Sequence, residues 1–506
     1  MGAFESYVES ILDVLSRDPH RTVLTAADGR EIPAGDFRHD IHRYARELAL
    51  RGVRRGTTVT LLSGNRPEVL AARYAANHIG ARVVLLYQGM APEALAHVVR
   101  SVDTGVLIVD PALHEYAEEL LARVHPPKVL SLGPGPLGED LLAHAARHRP
   151  EPVPGAARPE DDWCIRHTGG TTGIPKGVRM AHAPYKDVLA FGSVFAGEPP
   201  RFLACTTLAH VAGNIADATL LAGGSVVLHE EFDPGEVLAA VERERITHLW
   251  LLPPLLYRLL DEPAVRWTDL SSLQRITYGG CGASAARLRQ AHEVFGPVLF
   301  GGYGQSEAGH VTVLGPHEHG DLPREGQAPA GKVIPGVEVV VRDETGADLP
   351  PGGTGEIHVR SGQAMSGYWK QPELTEAVLR DGWVRTGDVG YLDEQGYLYI
   401  VDRLKDMVIV VGGHVYTSEL EDLLLTHPDI AHCAVFGVPA ENGAEEVHAA
   451  LVPAPGRKVD HEVLREFVAR HKGPMYAPRT LHQLAEIPLT PVGKPDKKHL
   501  RTSLAG

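Results

Sequence analysis

Short apolar strands alternate with helical stretches over most of the 506-residue chain, and this alternation limits the folds open to it. Strand candidates include TTVTLLSGN, ARVVLLY and TGVLIVD, and the helical stretch FDPGEVLAAVERERI lies between two later strands. The pattern is typical of βαβ units, in which helices cover mostly parallel sheets. Ligands of such sheets bind at the carboxyl ends of the strands. Polar loops that follow strands are therefore the candidate binding segments.

The pattern changes near residue 330, where GVEVVVRDETGADLPPGGTGEIHVRSG predicts twisted antiparallel strands with polar turns. A smaller α/β segment follows GYLYIVDRLKD. A chain of this length exceeds one compact core. We therefore predict an α/β protein with a large N-terminal domain, residues 1–402, of helix-covered, mostly parallel sheets plus a small β-barrel-like part. A small α+β C-terminal domain comprises residues 403–506.

Charge and cysteine content exclude several classes of partner. The net charge is −15 without a long basic run, which argues against nucleic acid or an acidic membrane surface as the partner. The four cysteines are widely separated and form no C-x-x-C pair, as expected of a protein in a reducing compartment. No apolar run approaches the ~18 residues of a membrane span, and the N-terminus has no signal pattern. We predict a cytoplasmic protein.

The loop RHTGGTTGIPKGV, residues 166–178, follows the strand candidate DWCIRH. Glycines let backbone N–H groups approach an anion, threonine hydroxyls donate to its oxygens, and a lysine neutralises part of its charge. The loop is not a Walker A site, because Lys176 follows Pro175 and precedes Gly177. Taken alone, it has a second interpretation as a solvated Gly/Thr loop. The rest of the chain has to decide between the two.

Four further polar clusters occur at predicted strand ends or loops. The stretches YGGCGAS (278–284) and GGYGQSEAG (301–309) are suited to receive a flat base and a metal-bound phosphate. In DGWVRTGDVGYL (381–392), Asp388 is suited to accept hydrogen bonds from sugar hydroxyls. The stretch PLTPVGKPDKKHL (488–500) puts Lys494 on a glycine loop.

Together these strings resemble, in the same order, the signatures of adenylate-forming enzymes: acyl-CoA synthetases, aryl-CoA ligases, luciferases and peptide-synthetase adenylation domains. The first loop resembles T-[SG]-G-T-T-G-x-P-K-G, YGQSE is similar to Y-G-x-[TS]-E, and RTGD is similar to T-G-D. DRLKDM resembles the hinge string and PLTPVGK the C-terminal P-x-T-x-x-G-K. LAHVAG and DLSSLQRITYGG point to the acyl- and aryl-CoA synthetase branch.

The resemblance implies an ATP-dependent ligase that adenylates a hydrophobic or aromatic carboxylic acid, releases pyrophosphate and transfers the acyl group to coenzyme A. Glu307 would hold Mg²⁺, Lys494 would reach the carboxylate and the α-phosphate, and the C-terminal domain would be mobile about a hinge at Lys405. The residues expected to bind ATP or AMP are Thr168, Thr171, Thr172, Lys176, Gly280, Tyr303, Gly304, Ser306, Asp388 and Arg403.

The same resemblance implies a pocket for the acid. His210 matches the family position that lines the acyl pocket and moves when the acid binds, although a histidine beside an apolar stretch is also a common core residue. The pocket residues expected are His210, Val211, Asn214, Gly279, Gly282 and His310, with His210 also expected to act in catalysis beside Lys494 and Glu307.

The acceptor is the open part of the sequence interpretation. The family loop after the hinge commonly has S-G-G-x-N-V-Y-P-x-E, whereas this chain has VVGGHVYTSE (410–419), with departures at Val411, His414 and Thr417. A β-branched residue in place of glycine restricts the backbone and adds bulk. Alternatives to coenzyme A are a carrier protein, a partner enzyme that receives acyl-AMP, or nitrite activation for diazotisation of an aryl amine. A non-catalytic nucleotide-binding protein is the third hypothesis, and the presence of Glu307 and Lys494 argues against it.

Overall fold

The computed structural model describes residues 4–168, 176–192, 198–323, 327–410, 413–440 and 445–504. The chain divides into two compact units, each made of three segments. The first unit consists of Met1–Trp250, Ser306–Gly309 and Gly362–Asp381, and the second of Leu251–Gln305, His310–Ser361 and Gly382–Gly506. The predicted functional boundary between residues 402 and 403 stays a prediction.

The strands and helices alternate as the sequence pattern predicts. Up to residue 251 they are α1 (Tyr7–Arg17), β1 (Thr22–Thr25), β2 (Glu31–Pro33), α2 (Ala34–Leu50), β3 (Thr58–Leu62), α3 (Pro67–His78), β4 (Arg82–Leu86), α4 (Pro92–Ser101), β5 (Thr104–Val109), α5 (His114–Leu121), β6 (Val129–Ser131), β7 (Glu139–Asp140), α6 (Leu141–Ala145), β8 (Asp162–Thr168), β9 (Lys176–Ala181), α7 (His182–Gly192), β10 (Arg201–Ala204), α8 (Val211–Leu221), β11 (Ser225–Leu228), α9 (Pro234–Glu244) and β12 (His248–Leu251).

The later part of the chain is richer in strands. Its elements are α10 (Pro253–Asp261), β13 (Arg275–Gly279), α11 (Ala285–Phe295), β14 (Leu299–Gln305), β15 (Gly309–Leu314), β16 (Gly331–Val333), β17 (Val337–Arg342), β18 (Gly355–Ser361), β19 (Gly367–Tyr368), α12 (Pro372–Val378), β20 (Leu379–Arg380), β21 (Trp383–Leu392), β22 (Tyr397–Arg403), β23 (Val408–Val410), β24 (Gly413–Val415), α13 (Thr417–Leu424), β25 (Ile430–Pro439), β26 (Glu445–Pro453), α14 (His461–Lys472), β27 (Thr480–Gln483) and α15 (Lys497–Leu504).

The first unit contains a sheet with the strand order β19-β9-β8-β4-β3-β5-β6-β7. All neighbours from β8 to β7 are parallel, whereas β9 and β19 pair in antiparallel fashion. Every residue of β3 is buried, as expected for a strand covered on both faces. The carboxyl end of β8 leads into the segment that the sequence predicts to bind phosphate.

A second group of strands in this unit has the order β12-β10-β11-β1-β2 and is parallel except for β2. The segment between β10 and α8 carries His210, so this residue also follows the carboxyl end of a parallel strand. Helix α1 begins with a capping box, in which Ser6 and Glu9 bond each other's backbone N–H groups. Its apolar face, which includes Tyr7 and Ile11, belongs to the same buried core as α2, α3 and α8.

In the second unit, β13 and β14 are parallel, and antiparallel strands follow in the order β15-β16-β22-β21-β18-β17. The antiparallel region predicted from residue 330 onward is thus confirmed. The register pairs Gly279 with Gly302 and Asp388 with Arg403. These pairings bring the ends of several predicted binding strings to defined positions on neighbouring strands.

The C-terminal segment has its own small core. Strands β23 and β24 form a hairpin, and β25-β26-β27 form a three-stranded sheet that packs with buried side chains such as Leu420, Val435 and Leu464. Helix α14 begins after Asp460, whose carboxylate accepts from two backbone N–H groups of the first turn. The predicted two-part α/β fold, with a large sheet-and-helix portion and a small C-terminal one, is confirmed.

Within the ranges that the structure describes, no helix combines the length and the apolar character needed to cross a membrane.

Candidate active site

Asp388 is the centre of a hydrogen-bonded cluster in the second unit. It lies on β21 opposite Arg403 of β22, and Arg403 Nε is 3.1 Å from Asp388 Oδ1. Tyr303 Oη donates to Asp388 Oδ2 at 2.7 Å, and Gln305 Nε2 donates to the same oxygen at 2.6 Å. Asp388 is 2% exposed. Because three donors hold this buried carboxylate, its orientation is fixed before any ligand arrives.

Gln305 was not singled out from the sequence. It occupies the variable position of YGQSE, so the motif itself gives it no role. Its side-chain amide also donates to the backbone oxygen of Thr386 at 3.0 Å, which ties the end of β14 to the strand that carries Asp388. A polar residue with hydrogen-bonding capacity in the middle of a motif was the available signal.

Tyr303 is held at two points. Its backbone N–H donates to Thr312 Oγ1 at 3.2 Å, while its hydroxyl is bound by Asp388. Burial and the neighbouring Asp388 carboxylate hold the pKa of Tyr303 well above its usual range, so the phenol keeps its proton and remains a donor. Gly304, the next residue, is exposed. The ring position expected of an adenine-stacking residue is therefore fixed by the protein.

Lys494 lies on a tight loop whose geometry is set by backbone hydrogen bonds. Thr490 N donates to the Lys494 oxygen at 2.7 Å, and Gly493 N donates to the Thr490 oxygen at 2.7 Å. Gly493 has φ +82°, and a Cβ there would lie 3.1 Å from a methyl group of Leu252. Only glycine satisfies both conditions easily.

The Lys494 side chain extends to the residues that follow β13. Its Cε lies 3.7 Å from the position that a Cβ would take at Gly280. Burial lowers the pKa of Lys494, and the positive charges of Arg403 and Lys405 lower it further against the opposing effects of Cys281 and Asp388. The structure thus brings Lys494, Gly280, Asp388 and Arg403 into one region of the second unit.

Glu307 belongs to a separate cluster in the first unit. Tyr368 Oη donates to Glu307 Oε1 at 2.9 Å, and Met365 N donates to the Glu307 backbone oxygen at 2.9 Å. Lys176 Nζ lies 5.5 Å from the centre of the Tyr368 ring, a cation–π distance. One aromatic side chain therefore contacts both the predicted metal ligand and the predicted phosphate-binding lysine.

Tyr368 was missed by the sequence interpretation. It lies on β19, which pairs with β9 so that Tyr368 is opposite Val178. Its ring is buried with Val178 and Met365, and its backbone N–H donates to Thr375 Oγ1 at 2.9 Å. The string GYWK contains the residue, but nothing local in it indicates pairing with a strand almost two hundred positions earlier.

The structure describes only some of the other residues predicted to bind phosphate. The backbone of Thr168 pairs with that of Lys176 across β8 and β9. Thr171 and Thr172 lie outside the described residues. Ser306, next to Glu307, is half-buried.

The acid-pocket candidates fall into two groups. In the first unit, His210 is the N-cap of α8, Val211 is half-buried, and Asn214 is buried one turn later. The His210 ring lies 6.3 Å from that of Tyr87, measured between centres. Asn214 Oδ1 accepts from Arg166 Nη2 at 3.0 Å, and sequence reasoning gave Arg166 no role.

The second group lies in the second unit. Gly279 is the buried last residue of β13, and His310 is half-buried on β15. Gly282 is exposed, and among the described residues, its two chain neighbours aside, no heavy atom lies within 4 Å of the position that a Cβ would take there. That space is available to a larger group.

The loop after the hinge differs in detail from the sequence expectation. His414 is exposed on β24, opposite Ile409, and Val411 lies outside the described residues. Thr417 is fully buried. Its backbone N–H and hydroxyl both donate to the Asp402 carboxylate, and Lys497 Nζ donates to its hydroxyl at 2.8 Å. The family loop commonly has a proline at this position, and a proline would lack the N–H group that donates to the Asp402 carboxylate.

Lys405, the predicted hinge, is an exposed residue just after β22. The backbone N–H of Leu404 donates to the Gly387 oxygen at 3.0 Å, and those of Asp406 and Met407 donate to the Arg403 oxygen. The residues on either side of Lys405 are therefore anchored by β21 and β22, the two strands that carry the predicted ribose-binding pair.

Two family models match the chain in the order that the sequence strings predict. The AMP-binding enzyme model matches residues 13–369, and the model of the AMP-binding enzyme C-terminal domain matches residues 419–494. The first match alone covers more than half of the chain.

Similar proteins share this organisation over nearly their whole length. The medium/long-chain-fatty-acid–CoA ligase FadD8 of Mycobacterium tuberculosis is 34% identical, with 97% of this chain and 89% of the relative covered. Feruloyl-CoA synthase of an Amycolatopsis species is 33% identical, with 96% of each covered. The solved structure of the amide bond synthetase McbA from Marinactinospora thermotolerans is 39% identical, superposes with a TM-score of 0.90 and covers 99% of both chains. The chain therefore belongs to the AMP-binding enzyme family and is an AMP-forming ligase of carboxylic acids.

Proposed function

We propose that this protein activates a hydrophobic or aromatic carboxylic acid with ATP and transfers the acyl group to coenzyme A. The observation that carries the proposal is the cluster in the second unit. Lys494 lies against Gly280, in the same region as the fixed Asp388–Arg403 pair and Tyr303. A nucleoside-binding set and a half-buried lysine in one place suit an α-phosphate on which negative charge develops.

In the first step, a carboxylate oxygen of the acid attacks the α-phosphorus of ATP, and the bond to pyrophosphate breaks. Asp388 would accept hydrogen bonds from the ribose hydroxyls, and Arg403 would donate to them. Tyr303 would stack on adenine between Gly280 and Gly304. Lys494 would neutralise charge on the α-phosphate and the carboxylate. Because burial lowers the hydration of its amine, the charge acts with little screening.

The phosphate end of ATP would be bound by Lys176 and the threonines at 168, 171 and 172. The Glu307 carboxylate fits Mg²⁺ by its chemistry, because that ion prefers oxygen ligands and is commonly held by one or two carboxylates together with substrate phosphates. Among the described residues, no group of three or more His, Cys, Asp or Glu could hold a metal, so ATP would have to complete the coordination. The bound ion would neutralise phosphate charge.

In the second step, the thiol of coenzyme A attacks the acyl carbon and AMP leaves. The proposed rearrangement is a rotation of residues 403–506 about Lys405, after which the loop carrying His414 would meet pantetheine. The exposure of His414 is compatible with this contact. Thr417 is committed to Asp402 and Lys497, so its departure from the family residue acts on the fold of the loop rather than on the thiol.

Pyrophosphate release tests the first step. The enzyme with ATP, Mg²⁺ and a panel of aryl and medium-chain acids should release pyrophosphate with at least one acid and form acyl-AMP in equal amount. Adding coenzyme A should then convert acyl-AMP to a thioester detected by mass. If none of the acids leads to pyrophosphate release, the proposal is contradicted. If acyl-AMP forms but persists after coenzyme A is added, only the proposed acceptor is contradicted.

A second candidate retains the adenylation step but replaces the thiol by an amine. It is favoured by the 39% identity to the amide bond synthetase McbA over 99% of both chains. Incubating acyl-AMP-forming reactions with coenzyme A and with a primary aryl amine in parallel distinguishes the two, because the products differ in mass. A carrier protein and a partner enzyme remain further acceptors of acyl-AMP in the same assay. Nitrite, which would be activated in place of the acid, is tested by adding it together with the aryl amine.

A further inference from the structure

Arg166 is a buried arginine on β8 with few partners. It is 7% exposed, and Nη2 donates to Asn214 Oδ1 at 3.0 Å. Its Nε is buried without an acceptor in the part of the chain that the structure describes. A guanidinium presents five N–H donors in a planar fork. Among the described residues, Asn214 Oδ1 therefore accepts from one arm of this fork, and Nε is left without an acceptor.

Within the part of the chain that the structure describes, Arg166 forms no ion pair. Asp217 is fully buried and forms an ion pair with Arg73. Tyr185 Oη donates to Asp217 Oδ2 at 2.6 Å and lies 3.3 Å from Asn214 Oδ1. Among the described residues, this hydrogen-bonded network contains two arginines and one carboxylate, and the carboxylate is paired with Arg73. A buried charge without a counter-charge is costly, so a ligand that brings an anionic or strongly accepting oxygen would be favoured here.

This unpaired charge lies among the acid-pocket candidates of the first unit. Asn214 belongs to α8, whose N-cap is His210. The His210 ring lies 6.3 Å from Tyr87, and burial raises the pKa of Tyr87 to about 12 while the Arg166 charge opposes the rise. Tyr87, His210, Asn214 and Arg166 therefore surround one region. The ligand that reaches it is the acid, if the proposed function holds.

We propose that Arg166 binds a second oxygen group of the acid, a carboxylate or a carbonyl distinct from the carboxylate that reacts. The substrate class is then an aryl or apolar acid with a second acceptor on its body. The reacting carboxylate is the weaker alternative, because it loses its charge on adenylation. An arginine bound to it would stabilise the substrate more than the transition state.

The test compares pairs of acids that differ by one acceptor, after pyrophosphate release has established that acids are adenylated. The pairs are benzoate with isophthalate and terephthalate, benzoate with 3- and 4-acetylbenzoate, and cinnamate with 4-carboxycinnamate. In at least one pair, the acceptor-bearing acid should have a kcat/KM about 10- to 100-fold higher. Equal values in all pairs would overturn the inference while leaving the proposed function intact.

Variants then assign the preference to Arg166. Arg166→Met should remove it by lowering kcat/KM for the favoured acid about 10- to 100-fold, with changes of less than about 3-fold for the plain acid and in the KM for ATP. Arg166→Lys should retain part of the preference, because it keeps the charge without the fork. Asn214→Asp should weaken the preference by supplying the missing counter-charge at the oxygen that Arg166 already contacts.

Two outcomes of the variant measurements overturn the inference. Equal losses for both acids of a pair would mean that Arg166 supports the fold or binds the reacting carboxylate. If the main effect of Arg166→Met is a raised KM for ATP, Arg166 binds the phosphates of ATP and not the acid. If Arg166→Met unfolds, Arg166→Lys and Asn214→Asp carry the test. If no acid releases pyrophosphate, the proposed function fails. Calorimetric binding of the same acid pairs to wild type and variants then decides the inference separately.

Discussion

The predicted site residues of the two units are held in different ways. In the second unit, the motif residues hold one another, since Tyr303 and Arg403 both bind Asp388 and Lys494 lies against Gly280. In the first unit, residues outside every motif hold the predicted ones, since Tyr368 binds Glu307 and Arg166 binds Asn214. The signature motifs therefore include most of the residues predicted to bind the nucleotide, but fewer of the residues that hold those binding residues in position.

The largest effect is expected from Lys494→Ala, which removes the amine that lies against Gly280 in the second unit. Adenylation should fall about 100- to 1000-fold in kcat, while the Kd for ATP changes little, because the cation acts mainly as charge develops in the transition state. Pyrophosphate release and ATP binding are measured separately. Lys498→Ala is the matched control, since Lys498 is exposed on α15. Adenylation within about tenfold of wild type in Lys494→Ala would remove Lys494 from this role.

Glu307→Gln tests the corresponding group of the first unit. Neutralising one oxygen ligand of a hard cation weakens binding with little change of shape. The Mg²⁺ concentration at half-saturation should rise about 10- to 100-fold, by analogy with the loss of a charged hydrogen-bonding partner. Titration of Mn²⁺ by electron paramagnetic resonance in the presence of ATP measures the same affinity without turnover.

The control for that experiment is Glu376→Gln, an exposed carboxylate on α12 of the same unit. It should leave both the Mg²⁺ requirement and Mn²⁺ binding as in wild type. Unchanged half-saturation in Glu307→Gln would contradict the metal assignment. A loss of ATP binding with unchanged metal affinity would instead assign Glu307 to the phosphate loop.

Features of the fold that depend on neighbouring residues could be predicted from the sequence, whereas features that depend on distant residues could not. The alternation of strands and helices is local, so the sheets and most elements were predictable. So was the antiparallel region near residue 330. The joining of residues 306–309 and 362–381 to the first unit was not, because it depends on β19 pairing with β9. Pairing between strands so far apart leaves no local pattern in the sequence.

The site follows the same rule. Asp388 and Arg403 come from strings in which spacing and residue type indicate the chemistry. Arg166 lies in the phosphate-loop string but received no predicted role, because a single arginine before a glycine-rich loop does not reveal that it is buried against Asn214. Thr417 was interpreted only as a departure from the family loop after the hinge, whereas its contacts with Asp402 could only come from coordinates.

Lys405→Pro tests whether the second-unit cluster must rearrange. Proline fixes φ, and a rotation about this residue requires its backbone dihedrals to change. Thioester formation should fall about tenfold or more, by analogy with other hinge substitutions, while acyl-AMP formation stays close to wild type. Rapid-quench measurement of acyl-AMP and thioester in one reaction separates the steps. Equal losses in both would indicate that the substitution destabilises the fold instead.

The smallest effect is expected from Tyr368→Phe, and it bears most directly on the comparison of the two units. The substitution removes the hydroxyl that donates to Glu307 Oε1 at 2.9 Å and keeps the ring that lies 5.5 Å from Lys176. Loss of one hydrogen bond to a carboxylate should raise the half-saturating Mg²⁺ concentration about 5-fold, with the same shift in Mn²⁺ binding. Tyr116→Phe, which removes a hydroxyl bonded to a backbone oxygen elsewhere in the first unit, should cause no such shift. In the Glu307→Gln background, Tyr368→Phe should add little, because two residues that act through one contact are not additive. Full additivity would mean that Tyr368 supports the phosphate side through Lys176 rather than through Glu307. No shift at all would mean that Glu307 is positioned without it, as the motif residues of the second unit position one another.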